Sequence, residues 1–157
     1  MKLPLKRLFE RAPDVIIGGE EDPYMRRWHL IPRNRFCNVY LHHFLRSDDD
    51  RALHDHPWWS VGVIVKGSYI EMLPHPSLPE GVHLMRHRRR FRPVFRRATQ
   101  SHRVQLIGHY SGHPQPVWTV FVTGRRVREW GFHCPKGWRH WSEFTDVTGR
   151  KIGKGCE

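Results

Sequence analysis

The sequence has 157 residues, of which 38% are hydrophobic, and this composition suits one globular domain rather than a disordered chain. It contains no run of about 18 apolar residues, which excludes a membrane-spanning helix. Residues 1–7 lack the apolar core of a secretion signal, so a cytoplasmic location is expected. The net charge of +12 makes polyanions the macromolecules to which the surface is best suited.

Taken in chain order, the sequence opens with a short helical pattern and continues with many short strands. Apolar residues at helical spacing predict a helix over residues 3–11, which Pro13 ends. Apolar and β-branched segments, separated by turn residues, predict strands at 24–31, 38–45, 58–65, 69–73, 83–90, 92–97, 103–107, 117–123 and 128–132. Turn signals at intervals of about eight to twelve residues are typical of a sandwich or barrel. We therefore expect an all-β jelly-roll barrel with a short N-terminal helix.

No internal repeat or low-complexity linker divides the chain, so we expect one domain over 1–157. Within it, 1–25 form an N-terminal extension and 146–157 a basic polar tail. The segment 130–141 is expected to form a strand and a Pro-Lys-Gly turn that packs against the barrel. The sequence contains three cysteines, Cys37, Cys134 and Cys156. Their odd number and the absence of C-x-x-C spacing favour reduced thiols over a disulfide framework or a cysteine-type zinc site.

The segment His54-Asp55-His56 is the strongest indication of chemistry in this sequence. Side chains alternate along a strand, so His54 and His56 face one way and Asp55 faces the other, as a structural or outer acceptor. An apolar strand follows at once, and His102 begins a second strand-like segment. Two imidazoles on one face and a third on the next segment predict a transition-metal site. The alternative interpretation is that they are isolated surface histidines.

The same residues resemble the first motif of the cupin superfamily, G-x5-H-x-H-x3,4-E-x6-G. His54, His56 and Gly67 fall in register with it, and Ser60 occupies the place of the acidic ligand. The resemblance implies a cupin-type double-stranded β-helix, with the site in the mouth of the barrel.

In the second cupin motif, G-x5-P-x-G-x2-H-x3-N, only His102 matches. Other residues stand where Pro, Gly and Asn are usual: Arg97, Thr99 and Leu106. The chain also resembles small uncharacterised cupin-like proteins of proteobacterial genomes and their prophages. That similarity rests on residues 28–34, 48–58 and 131–141.

The resemblance implies that His54, His56 and His102 bind a divalent transition metal. Iron(II) is the expected ion, with zinc and nickel as alternatives. Without the carboxylate, the site resembles the three-histidine iron site of thiol and related cupin dioxygenases, which act on small organic substrates. Open coordination positions are what distinguish such a catalytic site from a closed structural one.

Other side chains are expected at the cavity. Glu71 lies on the next predicted strand and is a candidate fourth ligand, and Arg103 is a candidate partner for a substrate carboxylate. One of His42 and His43 must face inward on any strand. Five tryptophans form an aromatic wall or, alternatively, fill the core and seal the barrel ends: Trp58, Trp118, Trp130, Trp138 and Trp141.

Eight arginines between Arg86 and Arg103 form the most basic part of the sequence. A barrel interior cannot hold several unpaired charges, so we expect the guanidinium groups of residues 88–97 mostly on the outer face. They would attract polyanions without sequence preference, or simply form a solvated surface. Three functions follow: a cupin dioxygenase, a non-catalytic metal- or ligand-binding cupin, and a basic nucleic-acid-binding accessory protein. A homodimer is expected as an alternative to a monomer.

Overall fold

The computed structural model describes residues 11–48, 52–77, 82–108, 113–145, 153 and 155–156. These contain twelve strands and one short 3-10 helix: β1 (Val15–Ile17), β2 (Met25–His29), β3 (Asn38–Phe44), β4 (Leu53–His54), β5 (Ser60–Lys66), β6 (Tyr69–Pro74), β7 (His83–Arg88), β8 (Val94–Arg96), β9 (Arg103–Leu106), β10 (Val117–Thr123), β11 (Gly131–Cys134), β12 (Gly137–His140) and Trp141–Glu143 for the helix. The all-β prediction is confirmed. The predicted N-terminal helix lies outside the described residues except for Arg11, and so does most of the predicted basic tail.

The strands form three antiparallel sheets. The largest has the order β1-β2-β3-β10-β5-β8, and the two smaller ones have the orders β7-β6-β9 and β12-β11-β4. An antiparallel bridge between His54 and His102 joins the two smaller sheets. None of the described residues forms a helix that is long and apolar enough to cross a membrane.

Alternation along the strands gives the large sheet an inner face that is apolar at one end and polar towards the other. The apolar end contains residues of both facing layers: Met25, Phe44, Ile64, Tyr69, Val104, Leu106 and Val117. Further along the same inner face, the register aligns Arg27 with His42, His42 with Thr119, and Tyr40 with Phe121. The hydrophobic core therefore closes one end of the barrel and leaves the polar side chains together beyond it.

The C-terminal part of the chain forms the predicted strand and turn, and a second strand after the turn completes a hairpin. β11 and β12 pair around a turn at residues 135–136, and Phe132, Cys134 and Phe144 form a second buried cluster with Ala52. Cys134 forms a disulfide bond with Cys156, 22 residues away in sequence. The expectation of reduced thiols is therefore wrong for these two cysteines, because the hairpin brings together residues whose spacing matches no motif. Cys37 is the free cysteine.

Candidate metal centre

Backbone pairing brings the three predicted histidines together. His54 ends β4, and its N–H and C=O groups bond to the C=O and N–H groups of His102, both at 2.9 Å. The N–H of His56 donates to the carbonyl of Ala98 at 3.2 Å. The first histidine pair and the third histidine are thereby fixed on adjacent segments, as the two sequence motifs suggested.

The three side chains each offer a ring nitrogen, and these atoms lie within 4.8 Å of one another. Nε2 of His56 is 2.9 Å from Nε2 of His102. The ring centroid of His54 lies 5.2 Å from that of His56 and 4.9 Å from that of His102. This arrangement has the donor set and the compactness of a site for one metal ion.

Burial keeps the imidazoles of His56 and His102 neutral, which is the form that binds a metal. Burial lowers the pKa of His56 well below its usual value, and the neighbouring histidines and Arg96 lower it further. Burial also lowers the pKa of His102 to about 3, although Glu71 acts in the opposite direction.

Glu71 sets the orientation of His102. Its Oε1 lies 3.1 Å from Nδ1 of His102, a close contact whose angles fall short of a hydrogen bond. A carboxylate repels the lone pair of a neighbouring ring nitrogen, so this contact favours the tautomer with the proton on Nδ1. Nε2 of His102 then presents its lone pair towards His56. A carboxylate beside the far nitrogen of a ligand histidine is typical of metal sites. This contact shows that the three histidines suit a metal ion.

Glu71 is fully buried and is held by two arginines. Arg96 donates through Nε at 2.6 Å and also through Nη2 to Oε1, and Nε of Arg88 donates to Oε2 at 2.6 Å. Burial raises the pKa of Glu71, but His102 and the two arginines outweigh it and lower that pKa to about 2. The carboxylate is thus committed to these partners, and the structure places it behind His102 rather than among the candidate ligands.

The expectation that the arginines of 88–97 mostly face outward is confirmed. Arg89, Arg90, Arg92 and Arg97 are exposed, whereas Arg88 and Arg96 reach inward. The exclusion of charge from a barrel interior applies to unpaired groups, and here Glu71 supplies the partner.

A second carboxylate lies beside His54. Oδ2 of Asp48 is 3.9 Å from Nδ1 of His54 and accepts the N–H of Val104 at 2.8 Å. Sequence reasoning missed Asp48, because it sits in an acidic loop whose composition does not distinguish one aspartate from the next.

Asp55 faces away from the histidines, as strand alternation predicted. Its Oδ1 accepts the N–H of Gly131 at 2.9 Å, and its Oδ2 is 2.6 Å from Arg128 and 3.1 Å from Nε1 of Trp138. Burial opposes the ionised form, but His133 and Arg128 lower the pKa of Asp55 below its ordinary value. Asp55 therefore fixes the C-terminal hairpin behind the site.

Ser60 and Trp58 lie inside the barrel wall. Ser60 is fully buried and pairs with Thr123 across the sheet, and the hydroxyls of both residues have no hydrogen-bond partner among the described residues. The ring of Trp58 lies 6.5 Å from that of His56, and its Nε1 is likewise buried without a partner in the described part of the chain.

The other four tryptophans that were expected at the cavity are distributed over several parts of the structure. Trp118 stacks on Trp28 at 5.5 Å and Trp130 on Trp141 at 5.9 Å, while Trp138 is exposed. They do not form one aromatic wall. Trp130 is the member of this set whose ring approaches the ligands, at 6.4 Å from His54.

Arg103 lies on the opposite face of its strand from His102, because adjacent residues alternate. Its Nη2 is 2.7 Å from Sδ of Met72. This orientation does not favour the expected contact with a substrate carboxylate at the metal centre.

Of the two neighbouring histidines on β3, His42 faces inward. It is buried, and its ring lies 5.7 Å from that of Tyr40 and 5.2 Å from that of Phe121. His43 points to the other face, where it stacks on Trp118 at 4.0 Å. The inner wall facing the three histidines is therefore formed by His42 and its aromatic neighbours.

Solved structures resemble this chain, whereas no protein-family model matches it and no curated protein is similar to it in sequence. A cupin superfamily protein from Desulfitobacterium hafniense has a TM-score of 0.50 and 10% identity, over 80% of this chain and 91% of that one. Hydroxypropylphosphonic acid epoxidase from S. wedmorenis has a TM-score of 0.51 and 13% identity, over 72% of this chain. Fe(II) HppE in complex with substrate has a TM-score of 0.53 and 10% identity, over 73% of this chain.

At these identities the similarity establishes the fold. The chain has the cupin fold, as its sequence motifs predicted, and its structural neighbours are cupin superfamily proteins. It spans 57% of the length of the epoxidase chain. Within this fold, three histidines form a candidate site for a divalent metal ion.

Proposed function

We propose that this protein binds one iron(II) ion through His54, His56 and His102, and that it is a non-haem dioxygenase for a small organic substrate. The proposal is carried by the group of three ring nitrogens within 4.8 Å. It is supported by the buried Glu71–His102 contact, which presents Nε2 of His102 to the centre. Zinc and nickel are the alternative ions, because imidazole binds each of them.

The protein's own residues supply position and electrostatics. Three neutral imidazoles leave the charge of the ion uncompensated, so an anionic ligand is favoured at the open positions. Glu71 lies 3.1 Å behind the ring of His102, Asp48 lies 3.9 Å from that of His54, and Trp58 borders the centre beside His56. Bound iron(II) would supply the redox chemistry that lets O₂ react with an organic molecule.

The test begins with metal content. Elemental analysis of protein purified without added metal should find about one transition-metal ion per chain, and iron(II)-loaded protein should consume O₂ with a panel of small organic acids. The matched controls are the zinc-loaded protein and the His56→Ala variant, both of which should be inactive. Metal bound at this site without O₂ uptake would support the alternative of a non-catalytic metal- or ligand-binding cupin. Absence of metal binding would reject the dioxygenase and every metal-binding alternative.

A second candidate function is binding of a polyanion such as single-stranded nucleic acid. The turn after β7 presents exposed Phe91, with φ of 58°, between exposed Arg89, Arg90 and Arg92. An aromatic ring among guanidinium groups offers both stacking and phosphate contacts.

Replacing Arg89, Arg90 and Arg92 with serine should weaken binding to an oligothymidylate and should reduce its salt dependence by a slope of about 2. Fluorescence anisotropy over a salt series measures both quantities. Metal content should stay unchanged, because these side chains are outside the barrel. Equal affinity in the variant and the parent would reject this function.

A further inference from the structure

Arg27 places a guanidinium group on the inner wall, and this group has no role in the proposed metal site. It lies on β2 beside His42, and its Nε donates to Nε2 of His42 at 3.0 Å. Its Cζ lies 4.9 Å from the centre of the Tyr40 ring. These two contacts hold the guanidinium through Nε and one flat face, so they leave its terminal nitrogens available.

No carboxylate of the described residues pairs with Arg27. Its inward-reaching counterparts, Arg88 and Arg96, both pair with Glu71. Asp14 lies on the neighbouring segment, but its carboxylate is taken by Arg11 at 2.6 Å and by the N–H of His29 at 2.7 Å. A partly buried cation normally has a compensating anion, so its absence indicates a site for an anionic ligand.

The position of Arg27 relates it to the metal centre. His42, which accepts its hydrogen bond, packs against Phe121 at 5.2 Å, and Phe121 in turn lies 6.2 Å from the ring of His56. The charge of Arg27 is near enough to contribute to the lowered pKa of His56. Arg27 is thus linked to the metal centre along the inner wall through His42 and Phe121.

We propose that Arg27 binds the carboxylate of a small organic acid whose other end reaches the metal centre. The inference rests on the proposed function for the location of the reactive end, and it assigns the substrate class. A planar guanidinium matches the two oxygens of a carboxylate, and such charge-assisted pairs are strong where water is scarce. His42 is a positioning residue, because its hydrogen bond to Nε fixes the direction of the fork.

The test measures binding of benzoate and pyruvate to the zinc-loaded and the metal-free protein by calorimetry. Arg27→Gln should weaken binding of these acids at least about tenfold in either form, since a charged hydrogen bond is lost. Arg27→Lys keeps the charge but not the two-pronged guanidinium, so its affinity for the acids should lie between those of Arg27→Gln and the parent. Benzamide, which has no charge, should bind equally weakly to all three proteins.

Arg103→Gln is the matched control. It also removes a partly buried arginine, but one on the face of β9 that points away from His102. It should leave carboxylate affinity unchanged, and circular dichroism checks that each variant is folded. The inference is overturned if the parent binds neither acid, or if Arg27→Gln and Arg27→Lys bind them as tightly as the parent. Failure of the metal site shows instead as a parent that retains no zinc, and the metal-free titrations still decide the role of Arg27.

Discussion

Replacing His56 with alanine will reduce the affinity of the protein for zinc or cobalt(II) by about 100-fold or more. Loss of an outer partner of a ligand typically costs roughly 10–100-fold, and loss of the ligand itself should cost at least as much. His56 is the histidine whose Nε2 lies 2.9 Å from that of His102, so its removal opens one side of the centre. Competition titration with a chromophoric chelator measures the change.

His43→Ala is the control for this experiment. His43 is a half-buried histidine that stacks on Trp118 at 4.0 Å, on the other face of the sheet from His42. Its removal should leave metal affinity within about twofold of the parent, because His43 is not one of the three candidate ligands. Equal metal affinity in His56→Ala and His43→Ala would show that the three-histidine group is not the site.

The sequence was sufficient to predict most of the barrel because its strands are long and bounded by turn residues. Each of the nine predicted strands overlaps an observed one, as with β3 at Asn38–Phe44 and β10 at Val117–Thr123. The short strands β1 and β4 were missed, and so was β12, which follows the predicted turn. A strand of two or three residues, such as Leu53–His54, has too few positions for alternation to be recognised.

The three histidines could be predicted because two of them share a strand face and the third matches a second motif. The contacts that support them could not, and Glu71, which was expected as a fourth ligand, instead pairs with arginines. Glu71 and Arg96 are 25 positions apart in sequence and meet only because β6 and β8 face the same interior. Arg27 and His42 pair across β2 and β3, and no local pattern distinguishes Arg27 from the adjacent, exposed Arg26.

Glu71 is fully buried, so its neutralisation should cost much stability. Glu71→Gln removes the anion that compensates Arg88 and Arg96, and breaking a buried ionic group in this way typically costs about 3–5 kcal/mol. It also weakens the acceptor for Nδ1 of His102, so metal affinity should fall by roughly 10–100-fold. Urea unfolding of the metal-free protein measures the first effect, and the chelator titration measures the second.

Glu143→Gln provides the comparison for the same chemical change on the surface. Glu143 is exposed and pairs with Arg139 at 3.1 Å, and such pairs contribute about 1 kcal/mol or less. A loss of stability in Glu71→Gln no greater than in Glu143→Gln would mean that the buried arginines do not depend on Glu71.

Acid should reproduce the effect of Glu71→Gln in the parent protein. The pKa of Glu71 is lowered from 4.5 to about 2 in the folded state, because His102 and the two arginines favour the carboxylate over its protonated form. The folded state therefore binds fewer protons than the unfolded state between these values, and lowering the pH favours unfolding. The contribution of Glu71 is fully present above about pH 4.5 and is lost as the pH falls towards 2. Urea midpoints of parent and Glu71→Gln should accordingly differ most near neutral pH and converge on acidification, whereas a difference that stays constant down to pH 2 would contradict an ionised Glu71.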